Sequence, residues 1–561
     1  MRGYSNSEDR VGTESLARGS SLRKLFDDPR VASVLLVLIA VLVRLVYLDR
    51  PTHFDELYTV LAAQGWSAEG IPRIADGVYE RVQYYTILTA KFFELFGESL
   101  VVARIPPLIF GALLTLSVFL WTWRVAGRTA AWMAGLFVCL DPTSVEMSQF
   151  ARFYSLHALL FFTGSICIYS MTVQGTSTRA KLFLSAAGVV LIFAAYETQQ
   201  LTMIGLAGIA LWLTVSVVVP WLTSSDTRPV VRWLAIGVAL VVVAVAAILL
   251  FGSGEGLSML NQYRKFPLHA AKHSNEFWFY HLHLTDRYQS LWPLFPIMLV
   301  AALAAKPRPV LFCAFVFCTA LILLSFAGMK SWRYLFFATP FLFIIWSIAL
   351  CKVFGSVWSW LAQTTDQARR AVAPDLPRNV IWGLVLAASA VSILFANGAP
   401  ARTLLKPLGI SISGKNWSGD WGDIGPYMKP WLERADVVIV SHELHALYYL
   451  GRYDLLLSKE RLVEIKGDDF DRDRRTGRPI IASVEAIDRV LDCYQRGLVI
   501  ADTVKGWRSP NVVDEAVASE ISRHMVAIEL PNSLKIRAFY WDHSEFWAPN
   551  NCTLELPNKS S

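Results

Sequence analysis

Charged residues are scarce in this chain. Only 17% of its 561 residues are Asp, Glu, Lys or Arg, whereas 54% are hydrophobic. Typical soluble domains carry roughly 25% charged residues. With a mean hydropathy of +0.41, this composition excludes an intrinsically disordered chain, a coiled coil, a collagen-like fibre and a conventional soluble enzyme. It indicates that most of the protein lies in lipid.

Sequence signals for several kinds of ligand are also missing. The chain has no Cys-x-x-Cys pair, no Cys/His metal spacing and no His-Glu-x-x-His motif. Its polar C-terminal part has no glycine-rich phosphate loop. The basic residues, which give a net charge of +7, are dispersed between apolar runs and do not form a stripe. The charge therefore reflects membrane topology and does not indicate a nucleic-acid partner.

Eleven apolar runs approach the length of about 20 residues that a membrane helix needs. They lie at roughly 31–48, 101–123, 130–145, 153–173, 182–197, 200–222, 233–251, 291–305, 309–327, 334–353 and 379–397. The loops support this count, because every alternate loop carries Lys or Arg, as the positive-inside rule requires of cytoplasmic loops. The sequence thus predicts a multi-pass protein of the plasma membrane with a cytoplasmic N-terminus and an extracytoplasmic C-terminus.

The predicted fold class is a polytopic α-helical membrane protein with a C-terminal extracytoplasmic α/β domain. Residues 1–30 form a polar, disordered cytoplasmic tail, residues 31–397 the membrane domain with outer loops at 49–100 and 252–290, and residues 398–561 the C-terminal domain. In that domain strand-like runs alternate with helical stretches: the strands are Val437–Val440, Leu498–Ile500 and Arg537–Tyr540, and the helices Val484–Arg496 and Val512–His524. A disulfide between Cys493 and Cys552 is compatible with an extracytoplasmic position.

Two acids and several cations that break the positive-inside pattern converge on the predicted outer face. Asp55 and Glu56 follow the first span, where a carboxylate pair can act as a general base or bind a divalent cation. Arg152, between the third and fourth spans, offers a planar guanidinium that suits a phosphate. Lys330 and Arg333 add two cations in the predicted outer loop between spans 309–327 and 334–353. The pattern suggests an anionic amphiphile that enters sideways from the bilayer, with its phosphate held by Arg and Lys beside a base.

Each of these residues also has a simpler interpretation. Asp55 and Glu56 can be solvated loop acids, and the three cations can anchor the interface by snorkelling. Glu197 lies at the turn between the fifth and sixth spans, where a carboxylate is a functional hypothesis but can equally order the turn. Arg44 lies in the first span four residues from its outer end and is expected to snorkel.

The residues around these positions form an ordered series of motifs. The series contains Arg44 at the end of an aliphatic span, Phe54-Asp-Glu-Leu-Tyr58, Tyr84-Tyr85, Ala103-Arg-Ile-Pro106 and Ala151-Arg-Phe-Tyr154. It resembles the GT-C superfamily of membrane glycosyltransferases, in particular the dolichyl-phosphate-mannose protein mannosyltransferase and aminoarabinose transferase type. The resemblance covers about the first 160 residues, and Trp332-Arg-Tyr-Leu335 resembles a further landmark.

The resemblance implies transfer of a sugar from a polyprenyl-phosphate donor to a lipid, glycan or protein acceptor on the extracytoplasmic side, with inversion. Asp55 would be the base on the acceptor hydroxyl, Glu56 its partner, and Arg152 and Arg333 the ligands of the donor phosphate. Substrate-binding roles are expected for Tyr84, Tyr154, Glu197, Lys330 and Tyr334. Arginine and lysine alone can neutralise the leaving phosphate, so the sequence gives no argument that a metal is needed, and Mg²⁺ or Mn²⁺ at Asp55 and Glu56 stays an open alternative. Tyr196-Glu-Thr-Gln199 departs from the family, whose members often have a His at this turn.

A transporter or flippase of an anionic amphiphile is the main alternative. It would share the spans and the basic mouths, but it should place functional charge near the bilayer midplane, often on broken helices. In this sequence the charges concentrate at the outer ends of the spans. A non-enzymatic receptor or scaffold would leave the acids and arginines of the outer face unexplained. The sequence therefore favours a transferase, without identifying its sugar or its acceptor.

Overall fold

The computed structural model describes residues 28–46, 48–173, 176–223, 276–289, 291–372, 419–504 and 506–543. The described residues up to 372 are almost entirely helical, and those from 419 onward form a mixed α/β unit. The predicted spans 233–251 and 379–397, most of the predicted outer loop 252–290, the predicted tail up to residue 27 and Cys552 lie outside the described residues.

The helical part begins with α1 (Pro29–Leu45), whose first turn is capped by the side chain of Asp28. Its remaining elements are, in chain order, α2 (Phe54–Glu69), the hairpin β1 (Arg73–Ile74) and β2 (Gly77–Val78), α3 (Gln83–Phe96), α4 (Leu100–Ala103), α5 (Ile105–Ala126), α6 (Arg128–Leu140), α7 (Pro142–Ser148), α8 (Tyr154–Met171), α9 (Thr178–Thr198), α10 (Thr202–Leu213), a π-helical turn (Thr214–Val218), α11 (Val219–Thr223), α12 (Phe279–Tyr288), α13 (Phe295–Ala305), α14 (Pro307–Phe326), α15 (Trp332–Leu335), a 3-10 turn (Phe336–Ala338) and α16 (Thr339–Val372).

The predicted membrane spans agree with these helices. Two of the eleven lie outside the described residues, and each of the other nine coincides with a helix. Six helical runs within the described part are long and apolar enough to cross a membrane: Leu100–Ala126, Tyr154–Met171, Thr178–Thr198, Thr202–Thr223, Pro307–Phe326 and Trp332–Val357. The third predicted span ends early. Asp141 accepts a hydrogen bond from the Ser144 N–H and starts α7, so the chain turns there instead of continuing to residue 145.

Arg44 does not snorkel, contrary to the sequence-based expectation. Its side chain is fully buried, and its guanidinium donates to the carbonyls of Val138 (3.2 Å) and Cys139 (3.4 Å) at the C-terminal end of α6. It also donates to the hydroxyl of Ser148 at 3.0 Å. A helix end leaves carbonyls without partners, and a cation there both satisfies them and matches the helix dipole. Arg44 therefore joins α1 to α6 and α7.

The C-terminal part is a six-stranded mixed sheet between two layers of helices. Its elements are α17 (Gly425–Arg434), β3 (Val437–Val440), α18 (Glu443–His445), a π-helical turn (Ala446–Leu450), β4 (Leu455–Leu457), α19 (Lys459–Ile465), β5 (Ile480–Ile481), α20 (Val484–Cys493), β6 (Arg496–Asp502), α21 (Glu515–His524), β7 (Val526–Ile528), a 3-10 turn (Asn532–Leu534) and β8 (Ile536–Asp542). The strand order is β5-β4-β3-β6-β8-β7, with β3 to β6 parallel and β8 antiparallel to both neighbours.

Successive side chains along each strand point to opposite faces of the sheet, and each face forms its own hydrophobic cluster. Val437 and Ile439 of β3 face one hydrophobic cluster, whereas Val438 and Val440 face the other. All four residues are fully buried, which suits a parallel strand covered on both faces. The described part of the chain thus confirms an α/β unit after the membrane helices. Cys493 takes part in a disulfide bond.

The C-terminal unit packs directly on α2 and on the β1–β2 hairpin. Phe54, at the start of α2, stacks on His445 with ring centroids 5.8 Å apart. Asp76, at the tip of the hairpin, forms a 2.9 Å ion pair with Arg478. The beginning of α2 therefore lies between the membrane helices and the C-terminal unit.

Candidate functional site

The first turn of α2 is built as a capping box that holds Asp55 and Glu56. The ring Nδ1 of His53 accepts the backbone N–H of Asp55 at 3.1 Å, and the Glu56 carboxylate accepts the backbone N–H of His53 at 3.0 Å. Acidic residues are favoured in this turn because they complement the helix dipole. The two adjacent carboxylates reach different partners, and their environments differ accordingly.

Glu56 is enclosed in a buried ion pair. Arg104 donates to its two oxygens at 2.9 and 2.7 Å, and the backbone N–H of Ala151 donates at 2.9 Å. Both side chains of the pair are fully buried. Burial by itself raises the pKa of Glu56, but the hydrogen bonds and charge of Arg104 hold that pKa below its ordinary value. Arg104 also donates to the carbonyls of Leu48 and Arg50, both at 2.7 Å. This geometry makes Glu56 an anchor of the loop.

Asp55, unlike Glu56, is partly exposed and pairs with a cation that is also partly exposed. Its carboxylate pairs with the guanidinium of Arg333, and 29% of the Asp55 side chain is exposed, against none of Glu56. Arg333 is held in turn by Ser331, whose hydroxyl accepts from its Nε at 3.2 Å. Its guanidinium also lies 5.8 Å from the ring centre of Phe150 and 5.5 Å from that of Tyr154. Three sequence-predicted residues, Asp55, Arg333 and Tyr154, therefore meet at one place.

Arg152 completes this cluster. It is 3% exposed, its Nη1 donates to the Tyr79 hydroxyl at 2.7 Å, and its guanidinium lies 5.0 Å from the ring centre of Phe153. Within the described residues its Nε has no hydrogen-bond partner. Burial raises the pKa of Asp55, but the positive charges of Arg333 and Arg152 more than offset this and hold the pKa below its ordinary value. The cluster therefore contains one carboxylate that is paired with Arg333 and also feels the charge of Arg152.

Three of the other predicted residues, Tyr84, Lys330 and Tyr334, form hydrogen bonds with residues outside this cluster, and the fourth, Glu197, is exposed. Tyr84 shares a hydrogen bond with the hydroxyl of Thr198, next to the exposed Glu197. Lys330 donates to the carbonyl of Ala327 at 2.7 Å. Tyr334 lies one residue beyond Arg333, and its hydroxyl donates to the Met329 sulfur at 3.5 Å.

Sequence reasoning assigned no role to three residues of the site. Arg104, which binds Glu56, lies in the motif Ala103-Arg-Ile-Pro106, but nothing in that motif indicates Glu56 as its partner. Tyr79, which binds Arg152, lies in the first predicted outer loop without any motif of its own. Arg81 lies 5.2 Å from the ring centre of Phe153 and donates to Gln199 at 3.3 Å, linking the cluster to the turn after α9.

The donor set of this cluster does not fit a divalent cation. Mg²⁺ and Mn²⁺ bind through several oxygen ligands, but the Glu56 oxygens already accept hydrogen bonds from Arg104, His53 and Ala151. Asp55 is neutralised by Arg333. Across the described ranges, no group of three or more His, Cys, Asp or Glu side chains could hold a metal ion. The positive charge that an anionic ligand would meet here comes from arginine.

Comparison with known proteins identifies the fold. No family model matches the chain, and no curated protein matches its sequence. ArnT from Cupriavidus metallidurans, solved bound to undecaprenyl phosphate, is similar with a TM-score of 0.60 at 14% identity, covering 90% of this chain and 97% of that one. The apo structure of ArnT gives 0.60 at 16% identity, with coverage of 92% and 99%. The apo oligosaccharyltransferase of Archaeoglobus fulgidus gives 0.52 at 12% identity, with coverage of 84% and 69%. The chain therefore has the fold of the ArnT structures, which is the fold that the resemblance of its motifs predicts.

Proposed function

We propose that this protein is a glycosyltransferase that moves a sugar from a polyprenyl-phosphate donor to an acceptor hydroxyl. The observation that carries the proposal is the cluster in which Asp55 pairs with Arg333 beside the buried Arg152. A partly exposed base next to two guanidinium groups suits a reaction that takes a proton and releases a phosphate. The shared fold supports it, because the ArnT structure of this fold is bound to undecaprenyl phosphate.

The proposed reaction is a displacement at the anomeric carbon. The acceptor oxygen bonds to that carbon, and the bond from the carbon to the phosphate oxygen breaks with its electron pair staying on the phosphate. The acceptor proton goes to Asp55. The donor is a phosphodiester with one negative charge, and the polyprenyl phosphate leaves as a monoester with two. Arg152 and Arg333 would stabilise the additional charge as it develops, which is the type of electrostatic contribution that is usually largest in catalysis. Attack opposite the leaving group gives inversion.

The ion pair between Asp55 and Arg333 suggests how the base becomes active. In the resting site the charge of Arg333 lowers the pKa of Asp55 and so makes it a weak base. A donor phosphate that binds Arg333 competes with Asp55 for the guanidinium and neutralises it. The pKa of Asp55 then rises, because the group that lowered it is now paired with the phosphate. Donor binding thus prepares the base, which limits proton transfer to the loaded site.

Glu56 is assigned a supporting role in this reaction. With both oxygens bonded and no exposed surface, it has no free lone pair directed at a substrate in the described structure. Its hydrogen bond to the His53 N–H fixes the first turn of α2 and therefore the position of Asp55. A panel of labelled donors distinguishes a hexose from a pentose. The labelled product formed in a membrane extract shows whether the acceptor is a lipid, a glycan or a protein.

Transfer of label from the donor tests the proposal. Purified protein in nanodiscs is incubated with a panel of radiolabelled polyprenyl-phosphate sugars and a membrane extract as acceptor source. We expect wild-type protein to release label from the polyprenyl phosphate, and Asp55→Asn to release none. Glu69→Gln is the matched control, since Glu69 is an exposed acid on the same helix, paired with Arg73. Equal release by wild type and Asp55→Asn would contradict the proposal.

The same experiment separates the transferase from a transporter or flippase. A transporter moves its substrate across the bilayer without breaking a covalent bond, so the label would stay on the polyprenyl phosphate while the lipid changed leaflet. Labelled donor in sealed proteoliposomes, analysed for both intact lipid and released sugar, distinguishes the two reactions. Leaflet exchange of intact donor without sugar release would favour the transporter.

A further inference from the structure

We infer that the C-terminal domain sets the affinity of the site for the donor phosphate, through a chain of contacts that runs from Arg475 to Arg152. The inference rests on the proposed function, because it assigns Arg152 to the phosphate. Arg475 belongs to the loop 473–478 of the C-terminal unit, and Arg152 to the segment just before α8. In the proposed reaction neither the loop 473–478 nor the β1–β2 hairpin supplies the base or a nucleophile. The role of these two segments is therefore to position Arg152.

The first link is a close backbone contact between the loop 473–478 and the β1–β2 hairpin. The Asp76 N–H donates to the carbonyl of Thr476 at 2.9 Å, and the Asp76 carboxylate pairs with Arg478 at 2.9 Å. A Cβ atom at Gly77 would lie only 2.4 Å from the carbonyl oxygen of Arg475. Only glycine at position 77 permits this approach. The hairpin is therefore docked on the C-terminal unit by its main chain as well as by charge.

The loop that receives the hairpin is itself held rigidly. The Asp473 carboxylate accepts from the N–H and the hydroxyl of Thr476 at 3.0 and 2.9 Å. The buried Tyr453 donates to the same hydroxyl at 2.6 Å. Gly477 follows with a φ of +69°, a conformation that favours glycine and turns the chain back onto Asp76. The loop thus presents a fixed surface to the hairpin.

The second link runs through two stacked tyrosines. Arg475 and Arg461 donate to the Tyr58 hydroxyl at 2.7 and 3.0 Å, and the Arg475 guanidinium lies 5.3 Å from the Tyr58 ring centre. Burial raises the pKa of Tyr58 to about 12, so it accepts these bonds as a neutral phenol. Its ring stacks on Tyr79 at a centroid distance of 5.6 Å and an interplanar angle of 11°. The C-terminal unit therefore also fixes the plane in which the Tyr79 ring lies.

The third link connects Tyr79 to the phosphate-binding cation. Tyr79 directly follows β2, and its N–H donates to the carbonyl of Pro72 across the hairpin at 2.8 Å. Its hydroxyl accepts from Nη1 of Arg152 at 2.7 Å. The main chain and the ring of Tyr79 are thus both positioned by the docked hairpin and by Tyr58. The Nε of Arg152 is buried and has no hydrogen-bond partner in the described structure, so the Tyr79 bond orients a guanidinium with one unsatisfied donor.

Two single variants and their combination test this series of contacts from Arg475 to Arg152. Arg475→Met removes the contact of the C-terminal unit with Tyr58, and Tyr79→Phe removes the hydroxyl that holds Arg152 while keeping the stacked ring. The donor KM and kcat are measured with a radiolabelled polyprenyl-phosphate sugar, and undecaprenyl phosphate binding is measured separately. We expect each variant to raise the donor KM about tenfold, because a guanidinium that Tyr79 no longer holds must be ordered when the phosphate binds. The kcat should fall as well, because Arg152 also stabilises the charge that develops on the leaving phosphate. The double variant should raise KM no more than the larger single effect, because both act on one chain of contacts.

Controls separate this effect from general loss of structure and from failure of the proposed function. Arg523→Met removes an exposed arginine of the same domain, 68% exposed, whose partner is Glu520, and should leave KM unchanged. Gly77→Ala should raise KM without removing any charge. If Arg475→Met does not fold, Arg475→Lys replaces it as the single variant and in the double variant. Unchanged donor KM in Tyr79→Phe and Gly77→Ala, or additive effects in the double variant, would overturn the inference while wild-type transfer stands. Absence of donor binding by wild type would instead refute the proposed function.

Discussion

The buried pair of Glu56 and Arg104 makes a specific prediction about stability. Glu56→Gln keeps the size of the side chain but removes its charge, which leaves a fully buried guanidinium without a counter-charge. Four donors converge on the Glu56 carboxylate: Nε and Nη2 of Arg104 and the N–H groups of His53 and Ala151. A glutamine offers them a single oxygen and directs an NH₂ group at donors.

The expected cost is large because the pair is shielded from water. Breaking a buried ion pair by removing one partner typically costs about 3–5 kcal/mol. The pair of Asp55 and Arg333 is partly exposed, at 29% and 18% of the side chains, and pairs of that kind are worth only about 0–1 kcal/mol. Glu56→Gln should therefore destabilise the protein by several kcal/mol more than Asp55→Asn, although Asp55→Asn is the more damaging change for transfer.

Denaturant unfolding in detergent, followed by tryptophan fluorescence, measures this difference. Glu69→Gln is the control for loss of an exposed acid on the same helix and should stay within about 0.5 kcal/mol of wild type. In a double-mutant cycle, adding Arg104→Met to Glu56→Gln should cost less than the sum of the single changes, because it removes the uncompensated cation. The anchor role of Glu56 would be refuted if Glu56→Gln unfolded like wild type, or if the two changes were additive.

Four further predictions follow from the site. Asp55→Asn should abolish transfer but retain binding of undecaprenyl phosphate, which a lipid-binding assay checks; loss of both would assign Asp55 to donor binding. Transfer should continue in excess EDTA, because Asp55 and Glu56 are paired with arginines; activity lost in EDTA and restored by Mg²⁺ or Mn²⁺ would contradict this. Arg152→Lys should raise the donor KM, since an ammonium cannot bond to Tyr79 and a phosphate in the planar arrangement of a guanidinium; an unchanged KM would remove Arg152 from the phosphate site. Burial lowers the pKa of His445 to about 3 from 6.5, so at this residue the unfolded chain binds more protons between these values. His445 alone should therefore lower stability by roughly 2 kcal/mol at pH 5, and His445→Phe should reduce the pH dependence of unfolding by that amount; an unchanged pH dependence would contradict this.

Helical membrane spans were predictable because each is a long local signal. Apolar length and the alternation of basic loops depend only on neighbours in sequence, so all nine predicted spans on described residues coincide with helices. In the C-terminal unit, Val437–Val440 was predicted to the residue. The two-residue strand Ile480–Ile481 was missed, because it is too short for alternation to show and is buried on both faces. The helix predicted to reach Arg496 ends at Cys493, since Arg496 begins β6.

The residues of the site were easier to predict than their partners. Arg152 and Arg333 stand out in the sequence as cations on the predicted outer face, and Asp55 stands out as an acid soon after the first span. The pairing of Asp55 with Arg333 spans 278 residues, and no local pattern encodes it. Glu56 looks equivalent to Asp55 in sequence, yet Arg104 encloses only Glu56. The difference between an anchor and a base thus arises from burial, which depends on how distant segments pack.

The buried Arg44 has a consequence for how this protein is made. Arg44 lies in the last turn of α1, where an arginine can reach the interface while the helix inserts, and α1 emerges from the ribosome when only the bond of Arg44 to the Ala40 carbonyl can form. Its partners on α6 and α7, the carbonyls of Val138 and Cys139 and the hydroxyl of Ser148, are synthesised 94 to 104 residues later. The buried position of Arg44 is therefore reached only after α6 and α7 have been synthesised, so α1 inserts first and acquires its packing against them later.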